Sequence, residues 1–140
     1  MREPLSYKIA SRAAEAALDA ARAEGERISV TVVNRSGITK VVLADDGAGP
    51  MAVSTSRLKA YTAAVMGITT ADFAEVAASP VMAANPVHLV DPQLHPVPGG
   101  FPIITEDGEV IGGLGVGGAH GGVDARIASA ALKSIADLLT

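Results

Sequence analysis

The chain has 140 residues, of which 49% are hydrophobic and only 3% aromatic, and its formal net charge is −4. This length suits one domain with its own core, so we expect residues 1–140 to form a single domain. No cysteine occurs, which excludes disulfides and thiolate chemistry. Basic residues are scattered, no apolar run reaches membrane-spanning length, and no leader pattern opens the chain. We therefore expect a cytoplasmic protein that binds neither nucleic acid nor a membrane.

The first elements are predicted to be a helix and a β-hairpin. Residues 5–25 have small apolar side chains at helical spacing, and Ser6 is a suitable N-cap. Alternation of apolar and polar side chains over residues 28–34 and 38–44 predicts two strands. The sequence Asn34–Gly37 between them is typical of a turn, so the strands form a hairpin.

Two helices and a long loop follow. Helical spacing predicts helices over residues 51–67 and 70–78, the second capped by Thr70. Five prolines brace residues 79–98, which are predicted to form an irregular loop, and loops of this length are often functional. An apolar stripe predicts a final helix over residues 123–139.

A second hairpin lies between the proline-rich loop and the final helix. Alternation over residues 101–105 and 109–117 predicts its two strands, joined by a turn at Glu106–Gly108. The element order is α-β-β-α-α-loop-β-β-α. Two hairpins need no parallel crossover, so the order favours an antiparallel sheet with helices packed on it, an α/β fold of the α+β kind.

Seven of the fifteen glycines lie between Gly112 and Gly122. Such a segment either forms one wall of a ligand site, because glycine permits close approach of the backbone, or lets the last strand pack tightly against a helix. Gly113, Gly115 and Gly118 also match the spacing of the dinucleotide fingerprint. No second parallel strand follows, and Asp137, the acid nearest the required spacing, lies inside the final helix. A Rossmann site is therefore not expected.

Two pairs of side chains are candidates for acid–base chemistry. Asp124 either caps the final helix or orients His120, four residues earlier, as a base. Lys59 and Tyr61 lie on the second long helix. Lysine is usually solvated, and the tyrosine hydroxyl either donates to an oxyanion or belongs to a ring that only packs.

The remaining candidates lie in loops. His88 and His95 fall in the proline-rich loop, and either could be an axial ligand of haem (heme) or simply solvated. The spacing of the three histidines matches no metal motif, so we predict no metal site. Asp45 and Asp46 form a pair of carboxylates at a turn.

Three stretches together resemble the GlcG/HbpS-like family over almost the whole chain. They are Lys59-Ala60-Tyr61-Thr62-Ala63, Gly99-Gly100-Phe101-Pro102-Ile103, and Ile111 to Gly118 followed by Asp124, Ile127 and Ala128. The resemblance implies a profilin-like or PAS-like domain with a central antiparallel sheet. It also implies a homo-oligomer, and some members of the family bind or degrade haem.

The resemblance raises Lys59 and Asp46 as site residues, since both match family positions. We expect the site where the second long helix, the proline-rich loop and the glycine-rich strand end converge, either within one chain or between subunits. His120, Asp124, Lys59 and Tyr61 are its candidate catalytic residues. The candidate ligand-binding residues are Asp46, His95, Gly99, Gly100, Phe101, Gly115, Gly117 and Gly118.

The sequence departs from the family pattern at two arginines. Ala44 and Tyr61 stand where the family often has arginine. Arginine binds carboxylates in a bidentate manner, so this difference favours a less anionic ligand.

Three functions stay open at this point. The chain could be a small-molecule-binding protein, with haem as one candidate ligand that it binds or degrades, or a cofactor-independent isomerase, lyase or cyclase. It could also be a structural subunit of a homo-oligomer, although this would not account for the histidine-bearing loop.

Overall fold

In the computed structural model, which describes residues 3–140, four strands form one antiparallel sheet. The strands are β1 (Ser29–Asn34), β2 (Thr39–Ala44), β3 (Gly100–Ile104) and β4 (Val110–Gly117). Their order across the sheet is β2-β1-β4-β3, so the two hairpins lie side by side with β1 against β4. The predicted fold class and the antiparallel pairing are confirmed, and each strand begins and ends within one residue of its predicted bounds.

Five helices surround the sheet. They are α1 (Tyr7–Ala23), α2 (Pro50–Met66), α3 (Thr70–Ala77), α4 (Pro80–Ala84) and α5 (Gly121–Ser134). The helices α1 and α5 pack together on one face of the sheet, and α2 covers the other face across β1, β4 and β3. The main core lies between the sheet and α1 with α5, where alanines of α1 meet branched aliphatic side chains of β1 and β4.

The glycines of β4 bring α2 unusually close to the sheet. Gly113, Gly115 and Gly117 lie opposite Val33, Thr31 and Ser29 of β1, on the face that α2 covers. A Cβ atom at any of the three would lie closer than 3.0 Å to an atom of α2, a distance that real Cβ atoms avoid. The glycines therefore serve tight packing of the last strand against a helix, and that helix is α2.

Hydroxyl groups join β1 to α2 across this narrow gap. The Thr31 and Ser56 hydroxyls are 2.9 Å apart and hydrogen-bonded, and Ser56 also reaches the Ser29 hydroxyl at 3.4 Å. All three side chains are buried. This hydroxyl seam satisfies polar groups that would otherwise be costly to bury.

Some predicted boundaries were wrong for identifiable reasons. Thr69, not Thr70, caps α3, because its hydroxyl accepts from the Asp72 N–H while the Thr70 hydroxyl accepts from the Gly100 N–H. The proline-rich loop contains α4 and a 3₁₀ turn at Val87–Leu89. The final helix begins at Gly121 and ends at Ser134, and a 3₁₀ turn over Ala136–Leu139 follows.

Asp45 joins α1 to the end of the first hairpin. Its buried carboxylate accepts two hydrogen bonds from Arg22, each 2.9 Å long, and Arg27 lies 3.9 Å away. The Arg22 hydrogen bond, against the opposing effect of burial, lowers the pKa of Asp45 to about 2. Asp46 is exposed beside it on the turn.

We predict that Gly115→Ala destabilises the fold by about 3 kcal/mol or more, at the upper end of the cost of overpacking. The added Cβ would press on the backbone of Ser56 and Ala60, which cannot move independently of α2. Urea unfolding followed by circular dichroism measures the change. Gly122→Ala is the matched control, because nothing lies within 4 Å of the added Cβ in the first turn of α5, and it should stabilise by up to about 1 kcal/mol.

We also predict an acid-dependent loss of stability that Asp45 controls. Because its pKa is lower in the folded chain than the ordinary 3.8, its contribution is complete above pH 4 and is lost as the pH falls toward 2. Asp45→Asn should flatten the dependence of unfolding free energy on pH in that window. An unchanged slope between pH 4 and pH 2 in this variant would contradict the assignment.

Candidate functional site

Lys59 lies inside the protein, where three segments of the chain meet. Its ammonium group donates to the Asp124 carboxylate and to the Val116 carbonyl, each at 3.0 Å, and the side chain is only 4% exposed. Glycine at position 99 makes room for it, since a Cβ there would lie 2.9 Å from Nζ. The lysine therefore does not extend into solvent, as most lysines do.

Asp124 uses both carboxylate oxygens within the protein. One accepts from Lys59, and the other accepts from the Ala119 N–H at 3.0 Å. The residue lies in the first turn of α5, where a negative charge is favoured by the helix dipole. Its carboxylate thus holds the residue that precedes the His120 N-cap, and its charge complements the dipole at the start of α5.

His120 is held by its backbone rather than by Asp124's side chain. It is the N-cap residue of α5, and its carbonyl accepts from the Asp124 N–H at 2.7 Å. Its side chain is exposed and makes no capping bond. The Asp124 carboxylate is engaged with Lys59 and Ala119, so these contacts do not support the alternative in which it orients the imidazole.

The end of the proline-rich loop borders the same ion pair. The Val116 N–H donates to the Gly99 carbonyl at 3.0 Å, so Gly99 and Lys59 contact the same residue of β4. Four residues earlier, the His95 N–H donates to the Thr62 hydroxyl at 2.9 Å. Thr62 lies one turn beyond Lys59 on α2.

His95 is half-buried at this corner. Burial, and then the positive charge of Lys59, lower the pKa of the imidazole below its ordinary value of 6.5. The ring is therefore neutral at neutral pH, and neutral imidazole is the form that ligates metals.

Tyr61 lies on a different face of α2. Residues two positions apart on a helix point about 200° away from each other, so Tyr61 is directed away from Lys59. Its ring covers Gly37, and its hydroxyl donates to Asp91. This hydrogen bond, then burial and the charge of Asp91, raise the pKa of the tyrosine. Tyr61 braces the first hairpin and the proline-rich loop rather than sharing the environment of Lys59.

The other predicted ligand-binding residues do not lie together in one place. Gly100, Gly115 and Gly117 are buried against α2 and its neighbours. Phe101 packs on the main core. Gly118 is exposed, and its φ of +120° favours glycine. Of this set, Gly99 lies beside the Lys59 ammonium group and His95 is within reach of its charge.

Arg57 is a further charged residue at this corner that was not predicted from the sequence. This exposed residue donates to the Gln93 side-chain oxygen at 3.0 Å, so it lies beside the segment that carries His95. It is one helical turn before Tyr61, on the same face of α2. The sequence contained a signal for this residue. Arg57 lies four residues before Tyr61, which stands where the family often has arginine, and residues four apart share a helix face.

Open grooves lie in another part of the molecule. One of about 450 Å³ lies at the β3–β4 turn, between Pro4, Ile9 and the acidic residues Glu106, Asp107 and Glu109. A neighbouring groove of about 470 Å³ continues to Asp137 and Thr140. Neither groove includes a residue of the Lys59 corner.

Comparison with known proteins identifies the family. The chain belongs to the HbpS-like family, described as haem degrading proteins, which its sequence matches over residues 5–133. No curated protein sequence matches it significantly. Among the residues described, no helix is long and apolar enough to cross a membrane.

Solved structures share the whole fold. A double mutant of HbpS from Streptomyces reticuli is 34% identical, with a TM-score of 0.84, and the match covers 100% of this chain and 90% of that one. The PduOC complex with haem is 26% identical, with a TM-score of 0.84 and coverage of 94% of each chain. The Klebsiella pneumoniae protein ORFY is 25% identical, with a TM-score of 0.85 and coverage of 95% and 91%.

We predict that Lys59→Met destabilises the fold by about 3–5 kcal/mol, because it leaves the Asp124 carboxylate buried without its partner. Lys59→Met/Asp124→Leu should recover most of that loss, since removing both charges also removes the desolvation penalty. Urea unfolding measures both variants. Arg126→Gln, which breaks the exposed pair between Arg126 and Glu24, is the control and should change stability little. A double variant as unstable as Lys59→Met would contradict this account.

Proposed function

We propose that the chain binds haem beside α2, with His95 as the axial ligand of the iron. The observation that carries the proposal is the half-buried imidazole of His95, whose backbone N–H donates to Thr62 and whose pKa is lowered by burial. The haem complex of PduOC, whose fold this chain shares over 94% of its length, supports the same ligand class. When bound, haem supplies a redox-active iron, while the chain's residues bind and orient the group.

The donor set fits a haem. An imidazole must be unprotonated to ligate iron. Because the pKa of His95 is lowered, its ring stays unprotonated to a lower pH than that of an ordinary histidine. The nearby charge of Lys59 is already paired with Asp124, so it favours the neutral imidazole without competing for the ligand.

Arg57 can supply the charge for a haem propionate. Its partner in this structure is the neutral Gln93 amide, and within residues 3–140 it forms no ion pair. A guanidinium in this state gains by pairing with a carboxylate. Arg57 therefore offsets the arginine absent at Tyr61, so the ligand can remain anionic.

The alternative of a cofactor-independent enzyme gains little support. Its proposed acid–base residues included Lys59 and Asp124, which are buried and engaged with each other. Tyr61 is engaged with Asp91. Only His120 of the four presents a side chain to solvent without such a partner among the described residues.

We further propose that the chain forms a homo-oligomer. Large apolar side chains are exposed along the outer side of α2 and the helices that follow it. They are Met51, Val65, Met66, Val76, Val81, Leu89 and Val90. Burial of such a surface between subunits would be favourable. Light scattering at micromolar concentration should give a multiple of 14.1 kDa, and a monomeric mass would count against the proposal.

We predict that haem titration gives a saturable Soret band that depends on His95. Loss of an iron ligand should lower affinity on the order of tenfold or more, equivalent to about 1.4 kcal/mol per decade, and shift the band. His95→Ala is the test. His88→Ala is the control, because His88 is an exposed histidine in the same loop. A wild-type protein that shows no saturable band sinks the haem proposal, and equal effects of both variants sink the role of His95.

We predict that Arg57→Gln weakens binding of haem more than binding of haem dimethyl ester. The ester has no propionate charge, so only the first ligand can lose an ion pair with Arg57. The ratio of the two dissociation constants measures this difference. A ratio unchanged from wild type would show that Arg57 does not pair with a propionate.

A further inference from the structure

We infer that Lys59 and Asp124 are positioning residues, whose ion pair fixes the two histidine-bearing loops relative to each other. The inference rests on the proposed function, since the ligand is taken to lie at these loops. Neither side chain touches the ligand, because Lys59 is 4% and Asp124 1% exposed and each is bonded within the protein. They act through the backbone on either side.

The His120 loop is restrained mainly through Asp124. Glycines lie directly before and after the Ala119–His120 pair, so this segment has little conformational restraint of its own. The Asp124 carboxylate binds the Ala119 N–H, and the Lys59 ammonium binds the Val116 carbonyl three residues before Ala119. These bonds set the position of an imidazole whose own ring makes no capping bond.

The His95 loop is restrained by the same ammonium group. Gly99 packs against the end of the Lys59 side chain and is bonded to Val116, to which Lys59 also donates. Thr62, one turn along α2, holds the His95 N–H. Movement of Lys59 would therefore displace both loops, and its charge acts on the His95 ring.

The stability of the fold does not by itself require a charged pair here. Buried ion pairs can often be replaced by apolar side chains of similar volume without loss of stability, whereas the positions of polar loops depend on directional bonds. Removing both charges should thus separate folding from positioning, which makes the inference testable.

The test compares two double variants without ligand. Lys59→Met/Asp124→Leu removes both charges and the bond to Ala119, while Lys59→Met/Asp124→Asn keeps an oxygen that can accept from Ala119. Amide hydrogen exchange reports on Ala119, whose N–H donates to Asp124, and the imidazole NMR titration reports on His95. In the first variant we expect exchange of the Ala119 amide to quicken tenfold or more while the β1 amides stay protected, and the pKa of His95 to rise. The second variant should restore protection of the Ala119 amide but not the His95 titration.

Haem titration of the same variants then separates this inference from the proposed function. We expect the first double variant to bind haem at least tenfold more weakly, with a shifted Soret band. Glu24→Gln/Arg126→Gln, which removes the exposed ion pair of α5, should match wild type in every measurement. Unchanged exchange and an unchanged His95 titration in a folded first variant would overturn the positioning role. Altered loops in a protein whose wild type gives no Soret band would uphold that role and overturn only the haem proposal.

Discussion

The close approach of α2 to the sheet determines most of this structure. Alternate residues of β4 are glycines on the face that α2 covers, so the helix lies against strand backbone rather than against side chains. That contact leaves no space for a ligand between the helix and the sheet. The proposed haem site therefore lies at the rim of α2, where Arg57, Lys59 and Thr62 meet the proline-rich loop and the end of β4.

The same approach explains how a lysine comes to be buried. A side chain on the sheet-facing side of α2 has nowhere to extend except toward the strand end, and there it meets a carbonyl and a carboxylate. Desolvation of two charges is costly, and here each charge also has a second hydrogen bond that lessens the cost. The pair joins α2, β4 and α5 at the point where the chain leaves the sheet.

The sequence predicted local structure well and the site only in outline. Alternation is a local signal, so it located all four strands to within a residue. The proline-rich segment was predicted as irregular because prolines interrupt any long helical period, yet a five-residue helix begins at Pro80, where proline suits the first helical position. The pairing of Lys59 with Asp124 spans 65 residues and could not be derived from spacing, although the convergence of their segments was anticipated. Tyr61 and Lys59 were grouped from the sequence but have separate partners, because residues two apart in sequence lie on different faces of a helix.

The hydroxyl seam between β1 and α2 has a consequence for how the helix is placed along the sheet. A surface of glycines is smooth, and a helix resting on it could shift by a turn at little cost in packing. The hydrogen bonds of Ser56 to Thr31 and Ser29 are directional, so they form in only one position of the helix along the sheet. Arg57 and Lys59 lie one and three residues after Ser56 on the same helix. The hydrogen bonds among three small hydroxyl groups in the interior therefore also set the positions of these two side chains at the rim.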